Sequence, residues 1–165
     1  MNKLSLQAML LITSALLSIN VFASNNGNDK GTNKTELMVF KTPTCGCCKS
    51  WITHLESEGV LTHAKDLYDL APIKNKYGIR PNVRSCHTAI SKDGFAFEGH
   101  IPAKYIKQFL SEKHQDAIGL SVPAMPLGSP GMEYESKFMP YKVLILYKNG
   151  SSGVYAHVNS YEEQF

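Results

Sequence analysis

Four cysteines carry the chemistry open to this chain: Cys45, Cys47, Cys48 and Cys86. The run Cys45-Gly46-Cys47-Cys48 holds a C-x-x-C pair, Cys45 and Cys48, with Cys47 as a third thiol between them. The thiolate form both attacks disulfides and binds soft metals. A dithiol exchanger needs one attacking sulfur, Cys45, and one resolving sulfur, Cys48. A neighbouring third thiol invites wrong pairings, whereas a thiolate cluster suits Cu(I) or zinc. A structural Cys45–Cys48 disulfide beside two inert thiols is the blander alternative.

These sulfurs need a scaffold. Glu36 to Lys41 contains the continuous apolar run Leu37-Met38-Val39-Phe40, which predicts a buried central strand. Thr42-Pro43-Thr44 makes a turn, with Thr44 as the expected N-cap. Cys48, Trp51, Ile52 and Leu55 then fall on one face of a helix that Gly59 ends. The cysteine run is therefore expected at a strand-to-helix turn, where free N–H groups and the helix dipole favour a thiolate. Lys41 and Lys49 add positive charge nearby or are simply solvated.

Further along, Val60 to Leu67 reads as a strand, and Asp69 caps a short helix with Leu70, Ile73 and Tyr77 facing inward. Val83 to Ser91 and Phe95 to Glu98 read as strands joined across an Asp93-Gly94 hairpin. Pro102 opens a helix with Tyr105, Ile106, Phe109 and Leu110 as its apolar stripe. The order β-α-β-α-β-β-α predicts an α/β fold, a thioredoxin-like mixed sheet flanked by helices. Ile118 to Pro140 is rich in proline and glycine and reads as a long, functional loop. Tyr141 to Tyr147 and Gly153 to Val158, joined across Asn149-Gly150, close the chain with a hairpin. The expected organisation is thus a thioredoxin-like domain over 36–117 and, over 118–165, a C-terminal extension packed on the same domain.

In a thioredoxin-like core the loop before the third strand approaches the C-x-x-C turn, a place the fold usually gives to a cis-proline. Here Arg84-Ser85-Cys86 stands at about that point, so Cys86 is expected to supply a fourth sulfur; the alternative is a buried small hydrophobe. His87 follows on the same strand and points away from Cys86 unless a bulge intervenes; it is carried as a candidate ligand. His100 reads as a surface or capping residue, and His54 and His114 as solvated. His63 is uninformative, and His157 reaches the site only if the extension folds back. Among Met125, Met132 and Met139, Met132 is the preferred thioether ligand, a soft donor suited to Cu(I).

The N-terminus sets the compartment. Lys3, an apolar run to about Phe22 and Val21-Phe22-Ala23 read as a signal peptide over 1–23, cleaved after about Ala23, followed by a flexible leader over 24–35. Cleavage leaves one domain's length of chain, enough to bury about two-thirds of its unfolded surface without disulfides. A net charge of +3 without a basic cluster gives no argument for nucleic acid. No later segment is apolar enough to span a bilayer, so no membrane association is expected after cleavage.

The blocks TPTCGCCKSWITHLESEG, VRSCHTAI, EGHIPA and GLSVPAMPLGSPGME resemble the CopG-type family of bacterial periplasmic copper-resistance proteins, over about Glu36 through Tyr155. That resemblance implies a thioredoxin-like domain whose C-terminal extension contributes to metal binding. It also implies copper held in a cysteine-bridged multinuclear cluster by Cys45, Cys47 and Cys48, with Cys86 in the S-C-H block, and Cu(I)/Cu(II) interconversion. The expected protein is periplasmic and binds copper, with copper ions and a copper exporter or carrier as partners. The alternatives are a metal-free thiol–disulfide oxidoreductase using Cys45 and Cys48, and a passive copper carrier. Whether the protein is an enzyme stays open.

Overall fold

The computed structural model describes residues 34–165. The stretch 1–23 expected to be a signal peptide, and most of the expected leader, lie outside the described residues. The strands are β1 (Glu36–Lys41), β2 (Leu61–Asp66), β3 (Thr88–Ser91), β4 (Ala96–Glu98), β5 (Ala117–Ser121), β6 (Tyr141–Tyr147) and β7 (Ser152–Val158). The helices are α1 (Gly46–Ser57), α2 (Ala71–Lys76) and α3 (Ala103–Ser111). One seven-stranded sheet runs β2-β1-β3-β4-β5-β6-β7. β1–β2 and β4–β5 are parallel pairs, crossed by α1 and α3, and the other neighbours are antiparallel. This is the mixed α/β sheet expected from the sequence.

Strand alternation sorts the core into two faces. Leu37, Val39, Ala89, Phe97, Leu120 and Val143 pack with Trp51 and Leu55 of α1 and Ile106 and Phe109 of α3. Fully burying one such large apolar side chain is worth about 1.5–3 kcal/mol relative to leaving it in water. Ile90, Ala96 and Leu146 form a second cluster with Ile79 and Val83, joined by the half-buried Phe40, Tyr77 and Ile118. The α1 stripe is as read, with Cys48, Trp51 and Leu55 buried.

Several local expectations are corrected. Cys45, not Thr44, is the N-cap of α1, its sulfur accepting from Cys48 N–H at 3.3 Å. β1 is flanked by strands on both sides but buries only alternate residues, leaving Met38 39% exposed. The third strand begins at Thr88, because Pro81–Val83 forms a 3-10 turn and Arg84 to His87 is irregular. Cys86 and His87 are therefore not strand neighbours on opposite faces. Ala117–Ser121, at the start of the stretch read as loop, is a strand paired parallel to β4. Gly119 sits at a register shift in it, at φ +146°, and an interior glycine hides a strand from periodicity. Both hairpins form where expected, with Gly94 and Gly150 at positive φ in the turns.

Candidate metal centre

Sheet register builds the site. Phe40 in β1 pairs with Thr88 in β3, so Cys86, two residues before Thr88, falls opposite the turn that leaves β1 for α1. Thr88 also pairs with Glu98 in β4, so His100, two residues after Glu98, falls opposite Cys86 from the other side. Three chain segments thus meet at one end of the sheet, above the first turn of α1.

There the four cysteine sulfurs lie within 4.8 Å of one another. Cys45 Sγ is 3.5 Å from Cys47 Sγ, and Cys48 Sγ is 3.6 Å from Cys86 Sγ. Cys45 and Cys48 are joined as a disulfide across the first helical turn, while Cys47 and Cys86 are free thiols. A second group shares Cys86: its sulfur lies 3.2 Å from His87 Nδ1 and 3.1 Å from His100 Nε2, with the three donor atoms inside the same 4.8 Å limit. Cys86 is the hinge between a sulfur cluster and an imidazole pair.

Both imidazoles are fully buried, at 0% exposure. His87 packs against Trp51 at 4.2 Å between ring centroids and edge-on to His100 at 5.0 Å. Burial holds the His87 pKa well below its ordinary value, and the neighbouring His100 and the Lys74 ammonium act in the same direction. Burial lowers His100 as well, so both rings are neutral at pH 7. His100 Nδ1 meets the Pro130 carbonyl at 2.8 Å. A carbonyl only accepts, so Nδ1 carries the proton and the Nε2 lone pair faces Cys86. An imidazole oriented through its far nitrogen is the usual support of a metal-binding histidine. His87 meets Cys86 through Nδ1, while its Nε2 is buried without a hydrogen-bond partner.

The Cys86 thiol is pushed up to about 12, first by burial and then by the charge of Cys47. A soft cation would reverse that cost, because coordination stabilises the thiolate and releases its proton. Lys41 does not supply spare charge: it is 4% exposed and spends its ammonium on Asp66 at 2.5 Å. With the Cys45–Cys48 disulfide reduced, four thiols and two neutral imidazoles are donors that fit copper in either oxidation state.

The proline- and glycine-rich segment covers this end of the sheet. Ala124 accepts from the Ser85 hydroxyl, and its N–H donates to Arg84 O at 3.3 Å. Gly131, at φ +85°, lies against α1 so closely that a Cβ would sit 2.6 Å from the Cys47 carbonyl. Met132, the next residue, is half-buried beside that contact, whereas Met125 and Met139 are exposed. His157 is exposed on β7.

Reading histidines from the sequence missed three. His100 is not a surface or capping residue but belongs to the buried cluster, brought there by strand register. His54 is not solvated but accepts the Ala103 N–H at 3.0 Å, capping α3 from α1. His114 stacks on Phe109 with centroids 3.9 Å apart. The EGH block and the side-by-side Cys86-His87 were the available signals.

Residues 83–132 match a family model described as a protein of unknown function, DUF411. No curated protein sequence matches the chain. Two solved structures, named copper resistance protein copG form 1 and form 2, each align with a TM-score of 0.71 at 36% identity, covering 76% of this chain and 98% of theirs. At that identity over nearly the whole of the relatives, with the cysteine run, Cys86 and the covering loop in one place, the chain belongs to the CopG family of copper resistance proteins.

Proposed function

We propose that this protein binds copper in the periplasm as part of copper resistance, using Cys45, Cys47, Cys48 and Cys86 as thiolate ligands with His87, His100 and Met132 completing the donor set. The observation that carries the reading is the convergence of four cysteine sulfurs, with two buried imidazoles against Cys86. Copper is the cargo. Thiolates favour the cuprous ion and imidazoles tolerate the cupric ion, so a mixed donor set can accommodate both states and support interconversion between them. Two overlapping donor groups exceed the needs of one four-coordinate ion, which favours a multinuclear site. A copper exporter or carrier in the same compartment is the corresponding partner.

The residues divide the work. Cys47 and Cys86 hold free thiols, and Cys45 and Cys48 contribute only after their disulfide is reduced. His100, oriented by Pro130, presents Nε2. Anaerobic copper titration of the mature protein, read by sulfur-edge and copper-edge absorption, tests the set: more than one copper per chain with mixed sulfur and nitrogen ligation supports it. Absence of copper uptake by the reduced protein overturns it.

The Cys45–Cys48 disulfide favours a second reading, a metal-free thiol–disulfide oxidoreductase. The double variant Cys47→Ser, Cys86→Ser separates the two. An exchanger keeps insulin-reductase-type activity, while a copper site loses its metal.

A further inference from the structure

Beneath the site lies a buried charged group that the copper reading does not use. Glu98, at the end of β4, has no exposed surface, and its carboxylate is fully engaged. Oε1 accepts the Ser85 N–H at 2.6 Å and the Lys74 ammonium, and Oε2 accepts the Thr88 hydroxyl at 2.6 Å. Lys74, itself 5% exposed, also donates to Thr88 Oγ1 at 3.1 Å. Ser85 and Thr88 are the residues immediately flanking Cys86 and His87. One carboxylate therefore grips both ends of the dipeptide that joins the sulfur cluster to the imidazole pair.

Burying an ion pair is a poor way to gain stability. Well-packed apolar side chains of the same volume do as well or better, and the core cluster that includes Ile90 and Ala96, on the same sheet face as Thr88 and Glu98, is apolar. The backbone of residues 84–87 lies outside β3 and is tied at its two ends, Arg84 O accepting from the Ala124 N–H at 3.3 Å and His87 O from the Gly99 N–H at 3.1 Å. Between those ties the Ser85 N–H is satisfied by the Glu98 carboxylate, a side-chain anchor inside the segment.

We propose that Glu98, neutralised by Lys74, is a positioning residue for the metal centre: its carboxylate clamps Ser85 and Thr88 so that the Cys86 sulfur and the His87 imidazole are presented together. It touches no copper and acts through the segment it holds. This inference rests on the copper-binding reading above. Outer partners of metal ligands characteristically change affinity by about 10–100-fold when removed, which sets the scale expected here.

The test uses the full mature chain. Glu98→Gln keeps the shape but puts an NH2 group where a carboxylate oxygen accepted, and Thr88→Val removes the Oε2 anchor alone. Should the lone buried Lys74 prevent Glu98→Gln from folding, the double variant Glu98→Gln, Lys74→Met removes both charges and carries the same test. Each variant is titrated with Cu(I) against a chelator, and its sulfur and nitrogen scatterers are counted by copper-edge absorption. Alkylation of Cys86 is timed in the metal-free protein. A clamp predicts weaker copper affinity by about tenfold or more, fewer sulfur or nitrogen scatterers, and faster Cys86 alkylation. Phe109→Leu, a core truncation in α3, is the control that lowers melting temperature without changing the ligand count. If wild-type protein binds copper and the folded clamp variants match it in affinity, ligand count and Cys86 alkylation, the clamp is refuted. If wild-type protein takes up no copper, the copper reading fails instead, and the Cys86 alkylation rates still decide whether Glu98 holds the segment.

Discussion

His100 donates from Nδ1 to the carbonyl of Pro130 at 2.8 Å, tying a buried imidazole of the sheet end to the loop that covers it. The loop is thus part of the site's architecture. At Gly131, φ is +85° and an added Cβ would fall 2.6 Å from the Cys47 carbonyl, which leaves no room for a side chain. Gly131→Ala is expected to cost about 1–3 kcal/mol through the strained backbone alone. By lifting Pro130 from His100 it should also weaken copper binding. Thermal melts and a competition titration check both, and an unchanged affinity would detach the loop from the site.

The disulfide sets a redox condition. Opening Cys45–Cys48 consumes two electrons and two protons and raises the number of free thiols from the present Cys47 and Cys86 to all four. Protein reduced and held without oxygen is expected to retain more copper per chain than protein oxidised with diamide, measured by metal analysis after gel filtration. Equal loading of the two forms would remove Cys45 and Cys48 from the ligand set.

His54 gives the stability a pH dependence. Its Nε2 accepts the Ala103 N–H and can do so only as the neutral ring. Burial lowers its pKa below the usual 6.5, Lys107 adds to that, and the charges of Glu58 and Glu133 oppose it. A group depressed in the folded state leaves the unfolded chain binding more protons at acid pH. Its contribution is therefore fully present above about pH 6.5 and is lost as pH falls through the lowered folded value. His54→Gln, which keeps an acceptor but does not titrate, should flatten the acid limb of stability measured by urea unfolding between pH 7 and 5. An identical slope in the variant would show that the acid limb belongs to other groups.

The last residues pin the loop from below. Gln164 is buried, accepts the Tyr141 hydroxyl at 2.7 Å and donates to the Gly128 carbonyl at 3.0 Å. Gln164→Ala strands both partners, an expected loss of about 1–3 kcal/mol. Hydrogen exchange should show the effect concentrated between Gly128 and Met132. Uniform loosening across the sheet would mean that Gln164 supports the fold rather than the loop.

What could be read without a structure is what is local along the chain. Cys45, Cys47 and Cys48 share a single helical turn, so their spacing alone brings them together, and the stripe of Cys48, Trp51 and Leu55 shows which side of that helix is buried. The Asp93-Gly94 and Asn149-Gly150 turns likewise announced their hairpins, because each needs a residue at positive φ. The arrival of Cys86, His87 and His100 is decided by strand register, through the pairing of Thr88 with Phe40 on one side and Glu98 on the other. Register depends on how whole strands pack, so His100 looked like a surface residue until the sheet was assembled. The same holds for the burial of Lys74, which a short helix with an apolar side could not reveal, because its partner Glu98 lies 24 residues away. Local chemistry follows from covalent neighbourhood; the meeting of distant donors follows from tertiary packing.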